Sequence, residues 1–274
     1  VQSALYASCL GFVMYWCFAH PVIERRRVYL MAFYVFIGLA TLGKGLLGFM
    51  LPGAVLFFYI LLTREWRMLK KVDLHLGIPI FVAVAVPWYA AMLIRHTQGF
   101  WNRFFVHDHF KRLASGVHQI DTGSFEHFMR WLGYGLFPWT AFIPAALGRF
   151  FAGEGLDMED DRGRATLMLI LWATIAFTLF TLSSTKFHHY IFPAVPPLAL
   201  LVALTIDDVF DRDIPEPWPL WFVGIGLFGI VAWDMIGDPQ NLKDLFTYKY
   251  ERKWDHSSWD TQFRWAMFAI FIPG

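Results

Sequence analysis

A chain of 274 residues that is 57% hydrophobic and only 16% charged is too apolar for an ordinary soluble domain, where about a quarter of residues carry charge. A net charge of +1 excludes the basic footprint of a nucleic-acid-binding protein. The two cysteines, Cys9 and Cys17, share one apolar run; on a helix about 12 Å of rise separates them, too far for a disulfide.

The apolar residues come in blocks, at about 1–19, 28–43, 45–63, 74–94, 128–148, 165–183, 191–206 and 217–237, with a shorter one from about 263. Backbone groups in hydrocarbon must be satisfied within the segment. The blocks therefore predict an all-α, polytopic transmembrane helix bundle of about eight or nine spans. Pro52, Pro87, Pro138, Pro144, Pro196 and Pro197 fall inside or at the mouths of these runs and read as kinks rather than stops. The chain opens on Val1 within an apolar run, and its last run is too short to span. The expectation is one transmembrane domain over 1–274, a piece of a longer protein cut at both ends, with an outer-face segment at 95–127 and an outer-face loop at 238–262.

Orientation is set by Lys and Arg in short loops. Glu24–Arg27 and Arg64–Lys71 are the densest basic loops. Two spans separate them, which puts both on the cytoplasmic side. Alternation adds the loops near 150–164 and 207–216 to that side. It sends the Lys44 corner, segment 95–127, the cluster around Lys186 and loop 238–262 to the outer face. Lys243, Lys249, Arg252 and Lys253 in the last loop run against the trend, which binds long loops less strictly.

Four stretches could carry chemistry. "LGKGLLG" (Leu42–Gly48) isolates Lys44 between two apolar runs. It is either a counter-ion for an anionic group at the membrane surface or a snorkelling lysine at a helix end. "GFWNRFFVHDHFKRL" (Gly99–Leu113) sets Phe100, Trp101, Phe104 and Phe105 at helical spacing among charges. It predicts an amphipathic helix along the interface, with the aromatics toward lipid or the bundle. Asp108 and Arg112, four apart, can pair. Alternatively, Arg112 grips a phosphate with its fork, oriented by Asp108, with His109 on the same face. His107 and His109, two apart, are poorly spaced to share a metal. "HQIDTGSFEHF" brings Glu126 and His127 near the interface, where exposure is the simpler reading. "SSTKFHHYIFPAVPPLAL" (Ser183–Leu200) crowds Lys186, His188, His189 and Tyr190 into five positions. This favours an anion site over an aromatic-belt Tyr beside a snorkelling Lys. The prolines after it suit a first helical turn.

The order of these elements ("KG", then "HDHFKRL" and "GVH", then "LFPWTAFIP", then "SSTKFHHYIFPAVPPLAL") resembles the lipid-carrier-dependent GT-C glycosyltransferases. The nearest likeness is to bacterial relatives of protein O-mannosyltransferases and of the lipid A aminoarabinose transferase. It covers most of residues 28–206. The resemblance implies an integral-membrane glycosyltransferase of the bacterial inner membrane. Such an enzyme moves a sugar from a polyprenyl-phosphate donor to a lipid, glycan or protein acceptor at the outer face. It also implies that Lys44, Arg112 and Tyr190, with Lys186 beside them, surround the donor phosphate, with Asp108, His109, His188 and His189 in support. The family's catalytic acid lies in a first outer loop that would precede Val1, so this stretch alone is expected to be inactive. No motif calls for a nucleotide cofactor; a divalent metal ion is left open, as is the oligomeric state. The competing readings are a transporter or flippase of a lipid-linked anion and a non-catalytic membrane subunit. A transporter keeps charges near the midplane and shows related halves. Here charges collect at one interface and no repeat is visible.

Overall fold

The computed structural model describes residues 25–111, 125–151, 157–183, 188–211 and 218–237. The apolar runs at 1–19 and from 263, the loop 238–262, Arg112 and Lys186 lie outside the described residues. Among those described, all regular structure is helical, and two compact units form, the first reaching to residue 119 and the second holding most of the remaining chain.

The first unit contains α1 (Arg25–Lys44), α2 (Leu47–Thr63), the single turn α3 (Met68–Lys71), α4 (Leu74–Phe100) and a π-helical segment, Trp101–Lys111. α1 packs along both α2 and α4. Two tyrosines fasten α1, one to the turn just before α4 and one to α4 itself. Tyr34 Oη donates to the Val72 carbonyl at 2.7 Å, and Tyr89 Oη donates to the Thr41 carbonyl at 2.6 Å. At one end, Arg26 Nη2 and Arg27 Nε lie 3.5 and 3.7 Å from Asp73 Oδ2, and Arg26 Nη1 donates to the Lys71 carbonyl at 2.6 Å. The two basic loops therefore meet at the same end, as their assignment to one membrane face requires.

α4 runs through Pro79 and Pro87 but breaks at Thr97 (φ 37°, ψ −116°). The rings of Tyr89 and Phe104 lie 5.2 Å apart. On a straight helix, fifteen residues would separate them by about 22 Å. The chain thus turns at Thr97, and the π-helical segment lies back against the end of α4. Phe100 stacks on Phe104 at 5.2 Å and packs against Trp88 at 5.7 Å, while Trp101 and Phe105 pair at 4.6 Å. The segment expected to leave the spanning rod does so, with a π rather than an α pitch.

The second unit contains α5 (Phe125–Gly135), a 3-10 turn at Trp139–Phe142, α6 (Ile143–Phe151), α7 (Asp161–Leu182), a 3-10 stretch at His188–Ala194, α8 (Val195–Asp211) and α9 (Trp218–Gly237). It corrects one expectation. The run 128–148 is not a single spanning helix. It is interrupted between Gly135 and Trp139, where Phe137–Pro138 is a cis peptide. The pieces on either side, 11 and 9 residues, reach about 17 and 14 Å, well short of a bilayer core of about 30 Å. Pro138 lacks the amide a continuing helix would use. The Gly133 carbonyl that loses its helical donor accepts instead from Thr140 Oγ1 at 2.7 Å. Thr140 is buried for that purpose. α9 covers the break, with Gly224 set so close to the Ala141 carbonyl that a Cβ would approach it to 2.0 Å.

The ends of α6, α7 and α8 meet in an ionic cluster. Arg162 lies 2.6 Å from Asp207 and 2.7 Å from Asp208, and Arg149 lies 3.5 Å from Asp208. Arg149 and Asp208 are nearly buried, with side chains 10% and 15% exposed. The cluster gathers 149, 162 and 207–208 at one end of the unit, consistent with loops 150–164 and 207–216 sharing a face.

Five helices among the described residues are long and apolar enough to cross a membrane: Arg26–Lys44, Leu74–His107, Asp161–Leu182, His189–Phe210 and Trp218–Gly237. The break at Thr97 limits the second of these to the rod before it. Leu47–Thr63 is apolar but shorter.

Candidate functional site

Lys44 is the last residue of α1. Gly45 comes next at φ 69°, a left-handed cap that suits glycine because it has no Cβ. Its amide donates to the Thr41 carbonyl at 2.9 Å. Gly48 then lets α2 start directly against α1. A Cβ there would lie 2.3 Å from the Thr41 amide nitrogen. The "KG" pattern is thus a compact corner, not a loop. The Lys44 side chain is exposed at its tip, and no ion pair or side-chain hydrogen bond joins it to the described residues. A cation at the end of a helix with no protein partner can take an external anion, and the helix's own C-terminal dipole favours the positive charge there.

Asp108 and His109 fall in the π-helical segment Trp101–Lys111. Their backbone is described and their side chains are not. Arg112 comes directly after that segment and lies outside the described residues.

In the second unit, His189 and Tyr190 sit in the 3-10 stretch, their rings 4.9 Å apart and nearly perpendicular. Tyr190 also packs 5.8 Å from Phe180 of α7. Ile191 and Ala194 are buried and anchor the stretch. Pro193 lies within it, and Pro196 and Pro197 form the first turn of α8, as their sequence position implies. Both rings are half-buried, so rigid packing on apolar residues fixes the direction of Tyr190. The backbone of His188 opens the same stretch; Lys186 lies outside the described residues. The structure therefore brings His189 and Tyr190 together, and it sets Lys44 on a defined corner of the first unit.

Two polar features escaped the sequence reading. Arg130 of α5 meets Asp234 of α9 through several hydrogen bonds, at 2.8 to 3.1 Å, and Tyr134 Oη donates to the same carboxylate. The signal was present: Asp234 is an acid inside the apolar run "GIVAWDMIG", and such an acid implies a partner. His127, expected to be exposed, is half-buried, 5.1 Å from the ring of Phe128 and 6.0 Å from that of Trp131. Among the described residues no three His, Cys, Asp or Glu gather closely enough to hold a metal ion.

No family model matches the chain. It is 28% identical over 175 residues to undecaprenyl phosphate-alpha-4-amino-4-deoxy-L-arabinose arabinosyl transferase 1 of Pseudomonas fluorescens, covering 64% of this chain and 29% of that protein. It is 29% identical over 197 residues to the transferase of the same description from Pseudomonas aeruginosa, covering 70% of this chain and 34% of the relative. The chain thus spans about a third of the length of these curated relatives. Among solved structures it matches ArnT from Cupriavidus metallidurans bound to undecaprenyl phosphate, with a TM-score of 0.67 at 27% identity, over 92% of this chain and 43% of that one. The apo form of the same protein matches with a TM-score of 0.60 over 97% of this chain and 44% of that one. Sequence and fold agree, and the chain is a multi-pass protein of the bacterial inner membrane.

Proposed function

We propose that this chain, a homologue of the lipid-carrier-dependent GT-C glycosyltransferases, is part of an enzyme that transfers a sugar from a polyprenyl-phosphate donor to an acceptor at the outer membrane face. The observation that carries this reading is that one solved structure matches nearly the whole chain in fold and is 27% identical to it in sequence, and that this structure holds undecaprenyl phosphate. The relatives named above are transferases, which favours the enzyme over a flippase.

The chemistry suits the residues. The acceptor hydroxyl attacks the anomeric carbon of the sugar, and the bond from that carbon to the phosphate oxygen breaks. The bonding pair leaves with the oxygen, so the lipid phosphate gains a negative charge. A carboxylate takes the hydroxyl proton. Lys44, Arg112 and Lys186 are the cations proposed to stabilise the departing phosphate, with Tyr190 as a hydroxyl donor. His188 and His189 support it, with Asp108 and His109 orienting Arg112. Lys44, exposed and without a partner among the described residues, and His189 and Tyr190, packed on each other with Tyr190 also against Phe180, are the members of this set whose side chains have a defined setting.

The test is a transfer assay on the full-length protein in membranes. The first donor is undecaprenyl phosphate-alpha-4-amino-4-deoxy-L-arabinose, with release of undecaprenyl phosphate as readout. Lys44→Ala should lower the rate by roughly 10² to 10³, the usual cost of losing a group aimed at developing charge. Turnover unchanged in Lys44→Ala, or no turnover of any polyprenyl-phosphate sugar by the unaltered protein, would overturn the reading.

A further inference from the structure

The connection between α2 and α4 carries Arg64, Arg67, Lys70 and Lys71, all exposed. No acidic side chain among the described residues pairs with any of the four. Arg26 joins this group by its hydrogen bond to the Lys71 carbonyl, and Arg27 by its approach to Asp73. Asp73 is nearly buried and already faces those two arginines. The other acid in the stretch, Glu65, is half-buried. The result is a basic surface assembled from two separate parts of the chain. Set within it are two exposed apolar side chains, Trp66 at 56% and Leu69 at 42%.

The combination is specific. Cations alone would suit any polyanion in water. Trp and Leu between them would be left exposed in water, but they suit the depth where headgroups meet acyl chains, and Trp favours that level. Of the helices on both sides, α4 is long and apolar enough to cross a membrane, and α2 is apolar but shorter. The surface therefore lies at headgroup height on the side that the basic loops assign to the cytoplasm. Juxtamembrane Lys and Arg clusters of this size are attracted to anionic lipid there.

We propose that the surface formed by Arg26, Arg27, Arg64, Arg67, Lys70 and Lys71, with Trp66 and Leu69 as apolar anchors, binds the headgroups of anionic phospholipids in the cytoplasmic leaflet. It is a second lipid-phosphate site, distinct from the proposed donor site in residues and in the lipid it takes. It does not rest on the proposed transfer activity.

The test uses the full-length protein in detergent, titrated with a short-chain phosphatidylglycerol, the matching phosphatidylcholine, and sn-glycerol 3-phosphate without acyl chains. Phosphatidylglycerol should bind at least tenfold more tightly than either of the others, and the preference should collapse at high salt. The triple variant Arg67→Gln, Lys70→Gln, Lys71→Gln should weaken that binding on the order of a hundredfold, about fivefold for each cation lost. Trp66→Ala should weaken it too but leave the preference over phosphatidylcholine intact. These side chains are exposed, and helical content by circular dichroism should not change. Arg64→Gln with Arg67→Gln gives the same reading should the triple variant misfold. Equal binding of the two phospholipids, binding of the soluble phosphate as tightly as the lipid, or an unchanged affinity in the charge variants would each overturn the proposal.

Discussion

Arg130 and Asp234, 104 positions apart, meet edge to edge: Nε and Nη2 of the guanidinium face the two carboxylate oxygens at 2.8 to 3.1 Å. The Arg130 guanidinium also donates to Tyr134 Oη at 2.8 Å. Tyr134 is buried in a core with Val231 and Met235, so the clasp joins α5 to α9 just where α5 is too short to hold itself in place. Both charged side chains remain more than a third exposed, which moderates the worth of the pair. Removal of Asp234 by Asp234→Ala should cost about 1 kcal/mol, below the roughly 1.5–3 kcal/mol of hydrogen bonds to charged groups because solvent screens the pair. A double-mutant cycle with Arg130→Ala, read by thermal unfolding in detergent, should show coupling. Strictly additive losses would mean that the two residues stabilise the unit separately.

The corner at Lys44 depends on the absence of a side chain at Gly48. Gly48→Ala places a Cβ 2.3 Å from the Thr41 nitrogen, against backbone that cannot swing away. The expected loss is about 1–3 kcal/mol, typical of overpacking, together with displacement of Lys44. Gly43→Ala, where a Cβ meets nothing within 4 Å, is the matched control and should change stability little. Equal thermal stability in the two variants would contradict the packing described here.

The buried part of the Arg149–Asp208–Arg162 cluster should behave differently from the Arg130 clasp. Asp208→Asn removes the charge facing Arg149, whose side chain is 10% exposed. Breaking a buried ion pair by removing one partner costs about 3–5 kcal/mol. The paired replacement Arg149→Leu with Asp208→Leu should recover much of that loss, since apolar pairs of similar volume often replace buried ion pairs without penalty. Chemical unfolding that ranks the paired variant below Asp208→Asn would argue against a desolvated ion pair.

Side-specific labelling tests the orientation. Cysteines introduced at Arg26 and Lys71, which meet at one end of the first unit, should react from the cytoplasmic side. One at Lys44, at the other end of α1, should react from the outer side. Labelling of positions 26 and 44 from the same side would break the alternation.

The sequence announced a good deal of this. The spanning rods α1, α4, α7, α8 and α9 were legible as unbroken apolar runs, because hydrocarbon leaves helices as the natural solution for a buried backbone. The Lys44 corner was legible because two glycines flank a lone charge. The prolines at 196 and 197 correctly marked the start of α8. The break in 128–148 was misread because a proline in a membrane run is more often a kink than an interruption. What decided it was Thr140, whose hydroxyl satisfies the freed Gly133 carbonyl, a tertiary arrangement that no apolar count carries. That the chain leaves the rod shortly after residue 94 was legible; the tight reversal at Thr97 was not. It rests on aromatic packing between Tyr89 and Phe104, far apart on the rod and adjacent only after the reversal. The Arg130–Asp234 clasp lay across more than a hundred residues, where helical spacing has nothing to say.

The claim that these residues receive a lipid phosphate is tested most directly by binding. Undecaprenyl phosphate should be titrated onto the full-length protein, unaltered and as Lys44→Ala and Tyr190→Phe, with sugar and acceptor absent. Loss of a charge-assisted contact should weaken binding by roughly tenfold or more for Lys44→Ala, and by less for the loss of a neutral hydroxyl in Tyr190→Phe. The two effects should combine non-additively if both touch one phosphate. Affinity that is unchanged in both variants would contradict the account.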